Sequence, residues 1–200
     1  MHRRTLIAAL AVLPAVPALA QAETRRVRGT VEKVDGPKLS VKTRDGEDLV
    51  VVAPMGVPFV AVVPATLADL KPGTFVGSGA MPQPDGSLVA LEVHIFPEAM
   101  RGTGEGHRPW DGAAQATMTN ANIDTAVGAV DGSTLTLKYK DGEKKLKVTP
   151  STAIVSYATG DRAEVAAGTK LFVTSATKQP DGSWAPARVA YGRNGLTPPM

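Results

Sequence analysis

The chain of 200 residues contains no cysteine. Disulfides, zinc-thiolate sites and catalysis by a thiol are therefore excluded, and the fold must be stabilised by core packing. Aromatic residues make up only 4% of the sequence, which disfavours the stacking surfaces that bind single-stranded nucleic acid. After residue 20, no apolar run is long enough to form a membrane-spanning helix.

Residues 1–20 have the pattern of a cleavable signal peptide. Arg3 and Arg4 precede an apolar stretch that ends in Ala18-Leu19-Ala20, a small-x-small cleavage pattern. Cleavage is expected after Ala20, or after Ala22 in a second register. We therefore expect export, most simply to the periplasm, with secretion as the alternative. Removing the two leader arginines lowers the formal charge from +3 to about +1, which further disfavours nucleic acid as a partner.

The rest of the chain contains an internal repeat. Gly73-Thr74 recurs 95 residues later as Gly168-Thr169. Three other pieces recur at an offset of 96: Val-Asp-Gly at 34–36 and 130–132, Asp-Gly at 45–46 and 141–142, and Gln-Pro-Asp-Gly-Ser at 83–87 and 179–183. Four landmarks in the same order indicate two copies of one small unit.

Each copy is predicted to contain five strands and one short helical turn. Apolar and polar residues alternate along 39–43 and 135–139, as in half-buried strands, and Asp-Gly pairs supply the hairpin turns. Thr66 and Asp161 are suited to cap the two helical turns. The order of elements is that of a small OB-type barrel. The sequence thus predicts an all-β fold, with a signal peptide (1–20), two tandem five-stranded OB-like barrels (25–96 and 123–193), a crossing segment (97–122) and a tail (194–200).

A specific resemblance accompanies this pattern. The stretch IFPEAMRGTGEGHRPWD at 95–111 and the closing Pro198-Pro199-Met200 resemble the signature of an exported bacterial family of unknown function with tandem OB-like modules. The resemblance covers nearly all of residues 25–200 and implies no established activity. Relatives in that family sometimes carry the label of metal-transporter permease, which would require several membrane-spanning helices.

The crossing segment is predicted to join the two barrels. It carries Arg101, Arg108 and Trp110, one of two tryptophans. Loops of this length are usually either disordered or specialised. We expect the indole of Trp110 to pack in the groove between the barrels and fix their relative orientation.

A metal site is the main alternative function for this region. Glu92 and His94 are two residues apart on a predicted strand and therefore share a face, while Leu91, Val93 and Ile95 are expected to face the core. Other residues with suitable ligand atoms could complete a zinc site: Glu98, Glu105, His107 and Asp111. Copper is a second metal hypothesis, based on scattered methionines at positions 55, 81, 100, 118 and 200.

The sequence favours a non-enzymatic exported binding or assembly module without a cofactor. A periplasmic zinc- or copper-binding protein is the alternative, and a hydrolase with an unassigned serine is the third hypothesis. The expected partner is a protein, a peptide or a glycan rather than nucleic acid.

Overall fold

The computed structural model describes residues 22–129 and 132–200, and the predicted signal peptide and its cleavage sites up to Gln21 lie outside them. The all-β prediction is confirmed. The strands of the described residues are β1 (Thr24–Asp35), β2 (Lys38–Thr43), β3 (Asp48–Val52), β4 (Phe59–Pro64), β5 (Phe75–Pro82), β6 (Leu88–Ile95), β7 (Gly106–Pro109), β8 (Thr117–Ala129), β9 (Gly132–Tyr139), β10 (Gly142–Val148), β11 (Ala153–Thr159), β12 (Lys170–Lys178), β13 (Trp184–Pro186) and β14 (Val189–Gly192).

Ten of these strands form two closed rings of five. The first ring, here called barrel A, runs β1-β2-β3-β13-β12 and closes by pairing of β12 with β1. The second ring, barrel B, runs β6-β10-β9-β8-β5 and closes by pairing of β5 with β6. Each ring contains one parallel contact, β3 with β13 and β6 with β10. Closure leaves neither ring with a free edge inside it.

The strand pairing corrects the predicted division into domains. The meander β1–β3 closes with β12 and β13, whereas the meander β8–β10 closes with β5 and β6. Residues 25–96 and 123–193 therefore do not each form a barrel of their own, because each segment contributes strands to both rings. The arrangement is the intramolecular counterpart of a domain swap.

Strands β14, β4 and β11 connect the rings as a bridge. Strand β4 pairs antiparallel with β11, with Val62 opposite Tyr157, and it pairs parallel with β14. Strand β11 in turn pairs parallel with β6. The five strands predicted for each copy omitted β4 and β11, because Val-Pro-rich stretches such as 57–64 have no clear alternation.

The two cores show why the exchange is stable. The core of barrel A contains Val31, Leu39 and Val41 from the first half of the chain, together with Val173 and Trp184 from the second half. The core of barrel B mixes the two halves in the same way. Removing either half of the chain would expose the cores of both barrels. The burial of each large apolar side chain in these cores stabilises the fold by about 1.5–3 kcal/mol.

Local sequence determines the turns as predicted. The two helical turns are short 3₁₀ helices at Leu67–Asp69 and Arg162–Glu164, and the Asp161 carboxylate accepts from the Ala163 N–H. Gly86 and Gly182 adopt the same positive φ of 81° in the two Gln-Pro-Asp-Gly-Ser turns. Among the described residues, no helix has the length and apolar character needed to cross a membrane.

Candidate functional site

A cavity of about 170 Å³ lies between the two barrels. Side chains from β1, β6, β8, β11, β12 and the crossing segment border it. The lining is mixed, with arginines, buried polar groups, aromatic rings and thioethers: Arg26, Arg28, His94, Phe96, Met100, Thr103, Gly104, Arg108, Trp110, Met118, Asn120, Tyr157, Phe172, Thr174, Arg188 and Met200.

Barrel B contributes a buried carboxylate–imidazole pair. Glu92 and His94, on β6, are 1% and 4% exposed. Glu92 Oε1 accepts from the Gly79 N–H at 2.9 Å, and Oε2 lies 3.0 Å from His94 Nδ1. Because a carboxylate only accepts, Nδ1 carries the proton and Nε2 is left free of the pair. The shared face predicted for these two residues is present, but Leu91 is 40% exposed because the bulge opposite Gly79 and Ala80 turns it outward.

Two glycines on β5 make room for this pair. A side chain at Gly77 would overlap His94 Nε2 and come against Asn120 Oδ1. One at Gly79 would overlap the ring of Trp110. The Gly77-Ser78-Gly79 sequence therefore lets an imidazole and an indole lie directly on the backbone of β5.

Asn120 brings an unsatisfied acceptor to the same place. Its Nδ2 donates to the Thr103 carbonyl oxygen at 2.8 Å, which fixes the orientation of the amide. Its Oδ1 is buried and has no hydrogen-bond partner, and the side chain is 4% exposed. A buried acceptor of this kind is costly unless a donor reaches it.

Aromatic rings form one wall of the cavity. His94 packs edge-on against Phe96 and Tyr157, with centroid distances of 4.7 Å and 5.8 Å. Burial, with a smaller effect of the Glu92 charge, raises the pKa of Tyr157, so its hydroxyl stays protonated at neutral pH. Phe172 completes the wall from barrel A, beneath the Arg28 guanidinium.

The opposite side of the cavity is rich in arginine. Asp111 accepts from Arg28 at 2.9 Å and 3.1 Å, and it pairs with Arg26 at 2.7 Å. These bonds, above all those from Arg28, hold the pKa of Asp111 well below its usual range. Arg188 and Arg108 have no ion-pair partner among residues 22–129 and 132–200: Arg188 donates to the Met100 sulfur, and Arg108 to the Gly104 carbonyl. Burial, and then the nearby Arg26, lowers the pKa of Arg108.

Matching positions of the two barrels differ sharply where they face this cavity. Gly77 on β5 is paired with His94 on one side and Asn120 on the other. Phe172, at the matching position on β12, is paired with Ala190 and Arg28. Glu92 lies two residues before His94, and Arg188 lies two residues before Ala190. One face therefore carries a buried acid and base on glycine, whereas the other carries guanidinium groups around a phenyl ring.

The six proposed metal ligands are not brought together. Apart from the Glu92–His94 pair, each makes contacts of its own: Glu98 with Arg101, Glu105 with the Lys140 N–H, His107 with Thr119 and Asp111 with Arg26 and Arg28. In the part of the chain that the structure describes, no group of three or more His, Asp or Glu residues could hold a metal ion. This corrects the predicted zinc site.

The remaining candidates also have defined environments. Burial, followed by Lys144 and Arg108, lowers the pKa of His107. Three of the methionines considered as copper ligands, Met100, Met118 and Met200, border the cavity. They do so among guanidinium groups, which repel a cation.

The crossing segment connects the two barrels and contributes to the cavity wall. Trp110 is half-buried on barrel B, between Gly79 and Gly112, and its neighbour Asp111 binds the barrel A arginines. Arg101 donates to Glu98, Asn122 and the Gly73 carbonyl, which anchors the segment on barrel B. The segment is shorter than the predicted 97–122, because β8 begins at Thr117 and β7 pairs with it.

Several residues that border the cavity or support its wall were not among the predicted site residues: Gly77, Gly79, Asn120, Arg26, Arg28, Tyr157 and Arg188. The sequence did contain a signal for Arg188 and the two glycines, because each differs from the residue at the aligned position of the other copy. Asn120 and Arg28 come together with the others through long-range pairing, so local sequence gives no indication of them.

No protein-family model, curated protein or solved structure matches the chain. The resemblance to an exported family with tandem OB-like modules therefore stays a prediction.

Proposed function

We propose that this protein is a non-enzymatic, exported binding module, and that the cavity between the barrels is its ligand site. The main observation in support of this proposal is a contrast between structurally equivalent positions of barrel A and barrel B. Inward-facing positions remain apolar in both barrels, as with Val31 and Ile123. The matching pairs Gly77–His94 and Phe172–Ala190, of which His94 and Phe172 border the cavity, differ in chemistry. A difference concentrated on one shared surface supports a role in recognition.

The size and lining of the cavity also support a small-molecule site. A cavity of about 150 Å³ in another protein is large enough to bind benzene, and this one measures about 170 Å³. Preformed pockets with an apolar body and few fixed polar groups are typical ligand sites. A peptide or glycan partner would insert a single side chain or sugar.

We further propose that the barrels are OB-like modules derived from an internal repeat. The identical pairing pattern of the two rings supports this interpretation. Export to the periplasm rests on residues 1–20. Cleavage after Ala20 or Ala22 would leave β1, which begins at Thr24, intact. Intact-mass measurement of protein from a periplasmic extract tests the export, and an uncut chain in the cytoplasm would contradict it.

The binding proposal is tested by filling the cavity. Thr174 is exposed and borders the cavity, whereas its neighbour Ser175 is exposed and does not. Thr174→Trp should block binding, and Ser175→Trp is the matched control. The probes are benzoate, benzamide, benzyl alcohol and benzylamine, measured by calorimetry.

We expect at least one probe to bind the wild type and Ser175→Trp and to lose about tenfold or more in affinity for Thr174→Trp, because the indole occupies its volume. Absence of binding by all four probes, or equal binding to both variants, would overturn the proposal.

A further inference from the structure

The charge around the cavity points to an anionic ligand. Four guanidinium groups surround it, from Arg26, Arg28, Arg108 and Arg188, and the carboxylates nearby are Asp111 and the buried Glu92. Because Arg28 also donates to the main-chain oxygen of Met200, the excess of positive charge comes mainly from Arg108 and Arg188. Arg188 is exposed and its guanidinium has a sulfur atom as its polar contact, so a carboxylate can approach it in the fork geometry that arginine favours.

The inner end of the cavity calls for a hydrogen-bond donor. Asn120 Oδ1 is buried and unpartnered, and its amide orientation is fixed by the bond to Thr103. His94 Nε2 borders the same point above Gly77. A hydroxyl group suits this point because both atoms are acceptors, so the hydroxyl proton can be donated to the unpartnered amide oxygen or to the imidazole nitrogen.

The middle of the cavity is apolar and partly aromatic. Phe96, Tyr157, Phe172 and the thioether of Met118 lie between the arginines and the buried polar groups. A flat ring or short aliphatic body of about benzene size fits this space.

We infer that the ligand is a small organic carboxylate that carries a hydroxyl group, with its acid end at the arginines and its hydroxyl at Asn120 and His94. This inference rests on the proposed binding function and specifies its ligand class. The arginines favour a ligand with a negative charge, and Asn120 favours a ligand with a hydroxyl group.

The experiment compares probes that differ in one group. Benzoate and benzamide differ in charge, and the 2-, 3- and 4-hydroxybenzoates add a hydroxyl at three positions. We expect benzoate to bind about tenfold more tightly than benzamide, since a charged hydrogen bond is lost with the amide. We expect at least one hydroxybenzoate to bind about tenfold more tightly than benzoate, since a buried acceptor that stays unpaired is strongly selective.

Variants assign each preference to its residue. Arg188→Gln should reduce the preference for benzoate over benzamide at least threefold, whereas Arg188→Lys should retain part of it and Lys145→Gln, an exposed charge on β10, should retain all of it. Asn120→Ala should abolish the advantage of the hydroxybenzoate over benzoate. Circular dichroism confirms that each variant is folded, and Arg188→Gln tests the inference even if Asn120→Ala does not fold.

The outcomes separate this inference from the function on which it rests. If benzyl alcohol or benzylamine binds as well as the acids, the cavity is a ligand site but the anion assignment is wrong. If phenyl phosphate binds more tightly than every hydroxybenzoate, the carboxylate assignment is wrong. If no probe binds, the binding function itself fails.

Discussion

The two barrels turn different faces toward the same cavity. The barrel B face consists of Glu92 and His94, which are buried, hydrogen-bonded and packed on glycine. The barrel A face consists of Arg28 and Arg188 around Phe172, and its arginines remain partly or fully exposed. The difference teaches that the Glu92–His94 pair is built into the fold, whereas the arginines of barrel A contribute less to its stability. Changes to the first should therefore lower the stability of the protein, and changes to the second should leave it nearly unchanged.

The largest difference in stability is expected between variants of Glu92 and of Arg188, its matching residue in the other copy. Glu92→Ala leaves the Gly79 N–H and the His94 ring N–H without a partner, and breaking a buried pair in this way costs about 3–5 kcal/mol. Arg188→Ala removes an exposed side chain and should change the free energy of unfolding by less than about 0.5 kcal/mol. Urea unfolding measures both. Losses of similar size would contradict the division between the two faces.

A second, smaller difference in stability is expected between variants of Gly79 and of Thr174, which occupy matching positions on β5 and β12. Gly79→Ala would place a methyl group against the Trp110 ring, and overpacking of this kind costs about 1–3 kcal/mol. Thr174→Ala, on the barrel A face, should cost less than about 0.5 kcal/mol because Thr174 is exposed. Thermal and urea unfolding give the comparison.

The double variant Gly79→Ala/Trp110→Ala identifies the cause of the Gly79 effect. If the methyl group acts through the indole, the double variant should be no less stable than Trp110→Ala alone. An additive loss would place the strain in the β5 backbone and contradict our interpretation of the contact.

Local sequence predicted most of the secondary structure and much of the core. The alternation along 135–139 predicted a half-buried strand, and Leu135 and Leu137 on β9 are buried. The Asp-Gly turns and the capped helical turns also follow from short segments. These features depend on neighbouring residues, which is why the chain order alone reveals them.

The exchange of strands between barrels could not be predicted in this way. Alternation specifies which face of a strand is apolar, but not which strand pairs with it. Because β5–β6 and β12–β13 have similar patterns, either meander could close with either hairpin. The cavity depends on this choice: Asn120 meets Gly77 only because β8 pairs with β5. The shared face of Glu92 and His94 was predictable, whereas the residues opposite them were not.

The smallest effect concerns Asp111, which links the crossing segment to the arginine face. Its side chain is 47% exposed, so water screens its pairs with Arg26 and Arg28, and Asp111→Asn should cost about 1 kcal/mol at pH 7. The pKa of Asp111 is lowered in the folded state, chiefly by the hydrogen bonds from Arg28. Its contribution is therefore complete above the unfolded pKa of about 4 and is lost as the pH falls below that value. The difference in unfolding free energy between wild type and Asp111→Asn should accordingly shrink between pH 4 and pH 2.

Glu47→Gln, which removes a single exposed pair with Arg25, is the control and should change stability by less than about 0.5 kcal/mol. A difference for Asp111→Asn that grows toward acid pH would show that this carboxylate does not stabilise the arginine face through its ionised form.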